Sequence, residues 1–205
     1  MELFFSPFAC SLASHITARE AGIPLDLRQV VLSEKRTTDG ADYLAITPKG
    51  QVPVLRLDDG SLLTENPVIL QYLAEQRPES GLLPPAGSRA RLEVLEWAAF
   101  ISTDVHKAIF YPIFHPAAPE GAKAFARELA PHRLNVLAQR LEGREFLVGD
   151  RFTIADAYLT WALNLCRHAG IDMAGWPTLQ AYSARMQERP AVRAAMGYER
   201  ERMSA

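Results

Sequence analysis

Cysteine is scarce in this chain, charge is nearly balanced and long apolar runs are missing. Each shortage removes a class of protein. Two cysteines, Cys10 and Cys166, occur in 205 residues. They form no CxxC pair and no metal-ligand spacing. Five histidines (His15, His106, His115, His132, His168) are scattered without ligand spacing, so no metal site is expected. A net charge of −2 leaves no basic footprint for nucleic acid and no acidic tail. No apolar run approaches the ~20 residues that span a bilayer, so no membrane partner is expected. No GxGxxG or other phosphate-cradling loop is present. The N-terminus shows no positively charged segment and no cleavage pattern of a secretory signal. Few cysteines and no export signal give the expectation of a reducing cytoplasm.

What is present is 48% hydrophobic residues, enough core for one large domain or two small ones. The stretch Phe4 to Ile16 is the most informative. A short apolar strand at Leu3-Phe4-Phe5 runs through Ser6-Pro7 into a turn. Cys10 follows, and Ser11 to Gly22 reads as a helix. A thiol then stands at a helix N-terminus, where unpaired backbone N–H groups favour negative charge. Thiolate is the reactive form of cysteine, and such a site lowers its pKa. A buried, inert thiol is the competing reading for both cysteines. It is the better one for Cys166, which continues a very apolar helix.

Pro24 ends the first helix, and Leu25 to Val31 reads as a second strand, so the start is a right-handed parallel βαβ unit. A short helix is expected around Asp39 to Ile46. Gln51 to Leu57 and Ser61 to Thr64 flank an Asp-Gly turn, a hairpin signal that brings the strands of this half to four. A cis bond between Val52 and Pro53 is compatible with that geometry. Asn66 suits an N-cap and Pro67 the first helical position, with either simple capping or an anionic ligand at that helix end. The proline- and glycine-rich stretch 77–88 reads as a boundary. Everything after it is helical. Ser88 caps a helix through about Tyr111, stopped by Pro112, with Leu92, Leu95, Ala99, Ser102, His106 and Ile109 on one face. A helix follows over Glu120 to Leu141, kinked or broken by Pro131. Thr153 and Asp156 have capping-box spacing ahead of Ala157 to Leu165, which makes Asp156 structural. Helices start at Pro177 and Pro190, and the tail from Tyr198 is expected to be exposed.

These features together resemble a known family. The strand–turn–Cys–helix, the Val-Pro before a hairpin and the Thr-Glu-Asn helix start resemble thioredoxin-like domains. With the helical second half and its F-T-I-A-D, the chain is similar to cytosolic glutathione transferases of the bacterial beta class. The residues that carry this are Ser6-Pro7 with Cys10-Ser11-Leu12, Thr47 to Leu55, Thr64-Glu65, Val105-His106-Lys107, and Phe152 to Asp156. The resemblance implies an α/β thioredoxin-like N-terminal domain plus an all-α C-terminal domain. The expected divisions are 1–77 for glutathione binding, 78–87 as linker and 88–205 as the helical domain with the electrophile pocket.

The resemblance also implies roles. Cys10 is the active-site thiol, able to form a mixed disulfide with glutathione. Val52, ahead of cis-Pro53, offers its backbone to the cysteinyl part of glutathione as an added strand would. Glu65 and Asn66 take the γ-glutamyl end, and Lys35 the glycyl end. Thr103, Asp104, Val105 and His106 line the site from the helical domain. His106 lies near the thiol as a second catalytic residue, with Lys107 as a plausible neighbour, and an imidazolium or lysine there adds to the helix-end field. The chain departs from the family at Phe8 (usually Gly), Ser14 (often Pro), Asn66 (often Ser) and Ala99 (Asn). The implied function is glutathione conjugation to a small hydrophobic electrophile, or thiol–disulfide exchange and peroxide reduction through Cys10, in a homodimer. A glutathione-dependent isomerase or dehalogenase, or a non-enzymatic binding protein, stands as the alternative on the same scaffold.

Overall fold

A computed structural model describes residues 1–203. In chain order its elements are β1 (Glu2–Phe5), α1 (Ser11–Glu20), β2 (Asp26–Val31), β3 (Arg36–Thr37), α2 (Tyr43–Ile46), β4 (Val54–Arg56), β5 (Leu62–Thr64) and α3 (Asn66–Glu75). There follow α4 (Arg89–Phe100), α5 (Tyr111–Phe114), α6 (Glu120–Leu141), α7 (Ile154–Cys166), α8 (Pro177–Gln187) and α9 (Pro190–Met203). They divide into two compact units. One is Met1–Leu82 together with α9, and the other is Leu83–Arg189.

The first unit is α/β. Its sheet has the order β3-β2-β1-β4-β5. β1 and β2 are parallel, and β4 runs antiparallel to β1 and β5. Leu3, Phe4 and Phe5 of the central β1 are all buried, which is why this strand reads as a continuous apolar run and not an alternation. The fifth strand is the two-residue β3 on the far edge, too short to leave a periodic signal. The helix expected over Asp39 to Ile46 shrinks to one turn, because the Asp42 carboxylate caps Leu44 N–H at 2.9 Å and starts α2 there. Helix α1 is buried along Ser11 to Ala18, packed against α3 and α9.

The C-terminus departs from expectation. Residues 190–203 are not part of the helical unit and do not trail into solvent. Helix α9 brings Glu199 to complete burial. Its carboxylate accepts the Phe8 N–H at 2.7 Å and pairs with His15 Nδ1 at 3.1 Å. His15 Nε2 in turn accepts from Arg19 Nε at 2.8 Å. A glutamate in a tail reads as solvated. Here tertiary partners meet its needs, and burial still raises its pKa against the pull of His15 and Phe8.

The second unit is helical. Ser88 caps α4 through Arg91 N–H at 3.2 Å. The helix does not stop at Pro112. The pitch widens to a π-helical stretch at Ile101–Phe110, closed by Tyr111 N–H on the His106 carbonyl. Pro112 then falls in the first turn of α5, where a missing N–H costs nothing. The buried stripe is Val94, Ala98, Ile101, Val105 and Ile109, and Leu92 and Ala99 of the expected face are exposed. Pro131 leaves α6 whole. Ala126, Ala130, Leu134, Leu137 and Leu141 stay buried on both sides of it while the proline faces solvent. Asp156 caps α7 as its spacing predicts. It accepts from Thr153 N–H and Oγ1 at 2.9 and 2.8 Å, and also from Leu147 N–H and the Tyr182 hydroxyl.

Removing Glu199 takes away the carboxylate that the Phe8 N–H and the buried His15 imidazole share. Glu199→Ala is expected to destabilise the protein by on the order of 3 kcal/mol, read as a lower urea midpoint at unchanged m-value.

Candidate active site

The first unit holds six of the expected site residues, Cys10, Lys35, Val52, Pro53, Glu65 and Asn66. Cys10 is the N-cap of α1 and is buried, with neither cysteine in a disulfide. Its Sγ donates to the Val52 carbonyl at 3.2 Å. The Val52–Pro53 peptide is cis, and both residues are buried. Pro53 stands one residue ahead of β4, so residues 50–53 lie outside the ladder. Their carbonyls find donors elsewhere. Lys35 Nζ donates to Gly50 O at 2.8 Å, the Tyr43 hydroxyl to Gln51 O at 2.9 Å, and Cys10 to Val52 O. Gly50 itself has φ +55°, a backbone conformation that strains any residue with a side chain.

Among the described residues, three non-glycine residues adopt positive φ: Phe8 (56°), Lys35 (54°) and Glu65 (69°). All three are among the expected site residues or their departures. Such backbone is held only where its surroundings over-determine it. For Phe8 the holder is Glu199, through the Phe8 N–H. At Lys35 it is the side-chain bond to Gly50 O, with the Lys35 carbonyl accepting Tyr43 N–H at 2.9 Å. At Glu65, Lys49 Nζ bridges Thr64 Oγ1 and Glu65 Oε1 at 2.8 and 2.7 Å.

Asn66 corrects the sequence reading. Glu65, not Asn66, is the N-cap of α3. The Asn66 side chain is buried and points inward, accepting from Ser14 Oγ at 2.6 Å and donating to the Cys10 carbonyl at 3.0 Å. It therefore ties α3 to the start of α1 at the residue that bears the thiol. Ser14, the departure from the family's proline, supplies the matching hydroxyl.

In the helical unit, Thr103 to Lys107 lie on the π-helical stretch. Thr103 is exposed, with its hydroxyl on Ala99 O and Asp104 Oδ2. Asp104 also pairs with Arg133 at 3.0 Å, and Val105 is buried in the core. His106 is half-buried. Its Nδ1 lies 2.9 Å from the Tyr158 hydroxyl, and its ring packs edge-on to Trp161 at 4.6 Å. Burial, and then the neighbouring Lys107, hold its pKa down to about 3. An imidazole held that low carries no charge near pH 7. Lys107 is exposed and lies over the Tyr111 ring. Cys166 is fully buried, its thiol pushed up to about 12 by desolvation. Among the described residues no group of three or more His, Cys, Asp or Glu could hold a metal, and no helix is long and apolar enough to cross a membrane. Tyr43 carried no spacing signal; only the fold brings its hydroxyl to the Gln51 carbonyl.

Residues 5–76 match the family described as Glutathione S-transferase, N-terminal domain, and residues 103–190 its C-terminal domain. The chain belongs to the glutathione S-transferase family. It is 44% identical to Glutathione S-transferase GstA of Escherichia coli O157:H7, over 97% of this chain and 98% of that one. A sphingomonad glutathione S-transferase solved in complex with glutathione is 45% identical at TM-score 0.92, covering 97% and 98%. The bacterial beta class enzyme of Sphingomonas chungbukensis is 41% identical at TM-score 0.93, with the same coverage. The beta-class resemblance and the α/β-plus-helical architecture read from the sequence are thus correct.

The lowered pKa of His106 has a consequence for stability. Between about pH 6.5 and 3, an unfolded chain binds a proton at this residue that the folded one refuses, so stability falls as pH drops through that window. Relative to His106→Gln, the wild-type protein is expected to lose roughly 2 kcal/mol between pH 7 and pH 5, measured by urea unfolding of both proteins at each pH.

Proposed function

We propose that this glutathione S-transferase binds glutathione along the Val52 backbone, with Cys10 at the reacting centre. The observation that carries the reading is the meeting of Cys10 Sγ with Val52 O at 3.2 Å, at a segment whose backbone groups lie outside the sheet ladder. An extended peptide laid against Val52 adds a short strand there. The sphingomonad relative solved with glutathione supports the choice of tripeptide.

The ligand's ends follow from charge. The γ-glutamyl ammonium goes to Glu65, whose carboxylate now holds the Lys49 ammonium. The γ-glutamyl carboxylate faces the N-terminus of α3, where Glu65 and Asn66 stand at the positive end of the helix. The glycyl carboxylate goes to Lys35, whose ammonium stands on Gly50 O at 2.8 Å. Asn66 acts indirectly, by fixing Cys10. From the helical unit we assign His106 as a neutral hydrogen-bonding group, with Thr103, Asp104 and Val105 as its neighbours.

Two reactions are open to this arrangement. In conjugation, the bound glutathione sulfur attacks an electrophilic carbon and the leaving group departs. In disulfide exchange, the Cys10 thiolate attacks one sulfur of oxidised glutathione. The S–S bond breaks, one glutathione thiolate leaves, and a Cys10–glutathione disulfide remains. With Cys166 buried and protonated, a second glutathione must resolve it. Cys10→Ala is expected to abolish the adduct of one glutathione seen by intact mass spectrometry and all thiol-transferase activity, while conjugation of 1-chloro-2,4-dinitrobenzene persists. Disulfide exchange by Cys10→Ala would remove Cys10 from this role.

We also infer a homodimer in the cytoplasm. Val68 on α3 and Leu92 on α4 are large apolar side chains left 46% and 58% exposed, on the two helices that family dimers pack together. Light scattering behind size exclusion is expected to give twice the chain mass for the wild-type protein and the single mass for Leu92→Lys. A wild-type monomer at micromolar concentration would overturn the dimer.

A further inference from the structure

Tyr43 is a fully buried phenol that neither reaction above uses. It lies on the four-residue helix α2 among Phe4, Val30, Val52 and Val54, with its ring 5.6 Å from that of Phe4. Phenylalanine would fill the same space. What the hydroxyl adds is one hydrogen bond, to the Gln51 carbonyl eight residues on. Burial keeps the phenol protonated, so it remains a donor.

The value of that bond shows in the company it keeps. Gly50, Gln51 and Val52 have no ladder partners, and their three carbonyls are held by Lys35, Tyr43 and Cys10 in turn. Lys35 and Cys10 both have a second attraction once glutathione arrives: the glycyl carboxylate for the ammonium and the ligand sulfur for the thiol. Tyr43 has none, being sealed from the ligand by its own core cluster. The middle bond alone is indifferent to occupancy. Tyr43 also anchors the other side of the site, since its backbone N–H holds the carbonyl of Lys35, a residue at positive φ.

We propose that Tyr43 is a positioning residue for glutathione: its hydroxyl fixes the Gln51–Val52 peptide, and with it the Val52 backbone that receives the tripeptide. This rests on the reading that Val52 is the docking strand. The test is calorimetric binding of S-methylglutathione, together with conjugation kinetics, on full-length Tyr43→Phe. Tyr182→Phe serves as the control, because it too removes a buried hydroxyl that donates a hydrogen bond, here to Asp156 in the helical unit. Tyr43→Phe is expected to weaken S-methylglutathione binding about three- to tenfold and to raise KM for glutathione by the same factor. KM for 1-chloro-2,4-dinitrobenzene stays where it was. Tyr182→Phe is expected to lower the urea midpoint and leave glutathione affinity intact. Equal binding by Tyr43→Phe and wild type, or an equal loss in Tyr182→Phe, overturns the proposal. If wild-type protein fails to bind S-methylglutathione at all, the glutathione reading itself falls and this proposal with it.

Discussion

Residues 50–53 must approach the sheet without joining it, and their carbonyls must still be satisfied. That constraint organises the first unit. A backbone carbonyl stripped of water and left unpaired costs about as much as a lost hydrogen bond, ~1–3 kcal/mol. Three in a row would offset much of a domain's net stability of about 5–15 kcal/mol. The chain meets the need with three side chains from three places: Lys35 after β2, Tyr43 on α2 and Cys10 at the head of α1. The result is a strand-like edge with its backbone fixed and with chemistry at both ends, a thiol at Val52 and an ammonium at Gly50.

The same principle recurs in the handling of buried carboxylates. Glu199 and Asp156 are both fully buried, and burial raises the pKa of each. Each gathers donors that pull the other way. Asp156 takes two backbone N–H groups and two hydroxyls, and so holds the loop before α7, the helix itself and α8 in one arrangement. Glu199 takes the Phe8 N–H and His15, and so binds the last helix to the turn that presents Cys10. In both cases a charge in the interior acts as a junction between segments far apart in sequence, and its partners decide its cost.

The chemistry is divided by environment. Cys10 meets a carbonyl at a helix N-terminus, whereas Cys166 sits in an apolar helix with its thiol pushed up to about 12. Two identical side chains thus stand in different surroundings. His106 is held neutral by its aromatic surroundings and by Lys107, so whatever it contributes near neutral pH is a hydrogen bond and not a charge.

Much of this was legible in local pattern. Leu3-Phe4-Phe5, the Asp-Gly turn, the Thr153–Asp156 spacing, Ser88 ahead of α4 and the span of α6 all follow from interactions within a few residues, which propensity and periodicity record directly. The motif residues from Ser6 to Asp156 were enough to recognise the family. Other features left no local trace. The buried stripe of α4 runs through Val94 and Ala98 and not Leu92, because apolar residues lie on more than one side of this helix and tertiary packing chooses between them. Asn66 turns inward to Ser14 and Cys10 and gives up the capping role its position suggests. Glu199 reads as a tail residue and is a core one. The bonds responsible join residues 42, 56 and 191 apart in the chain. A hydrogen bond of that span depends on where the backbone has already been carried, so it is decided by packing and is invisible to any window of sequence.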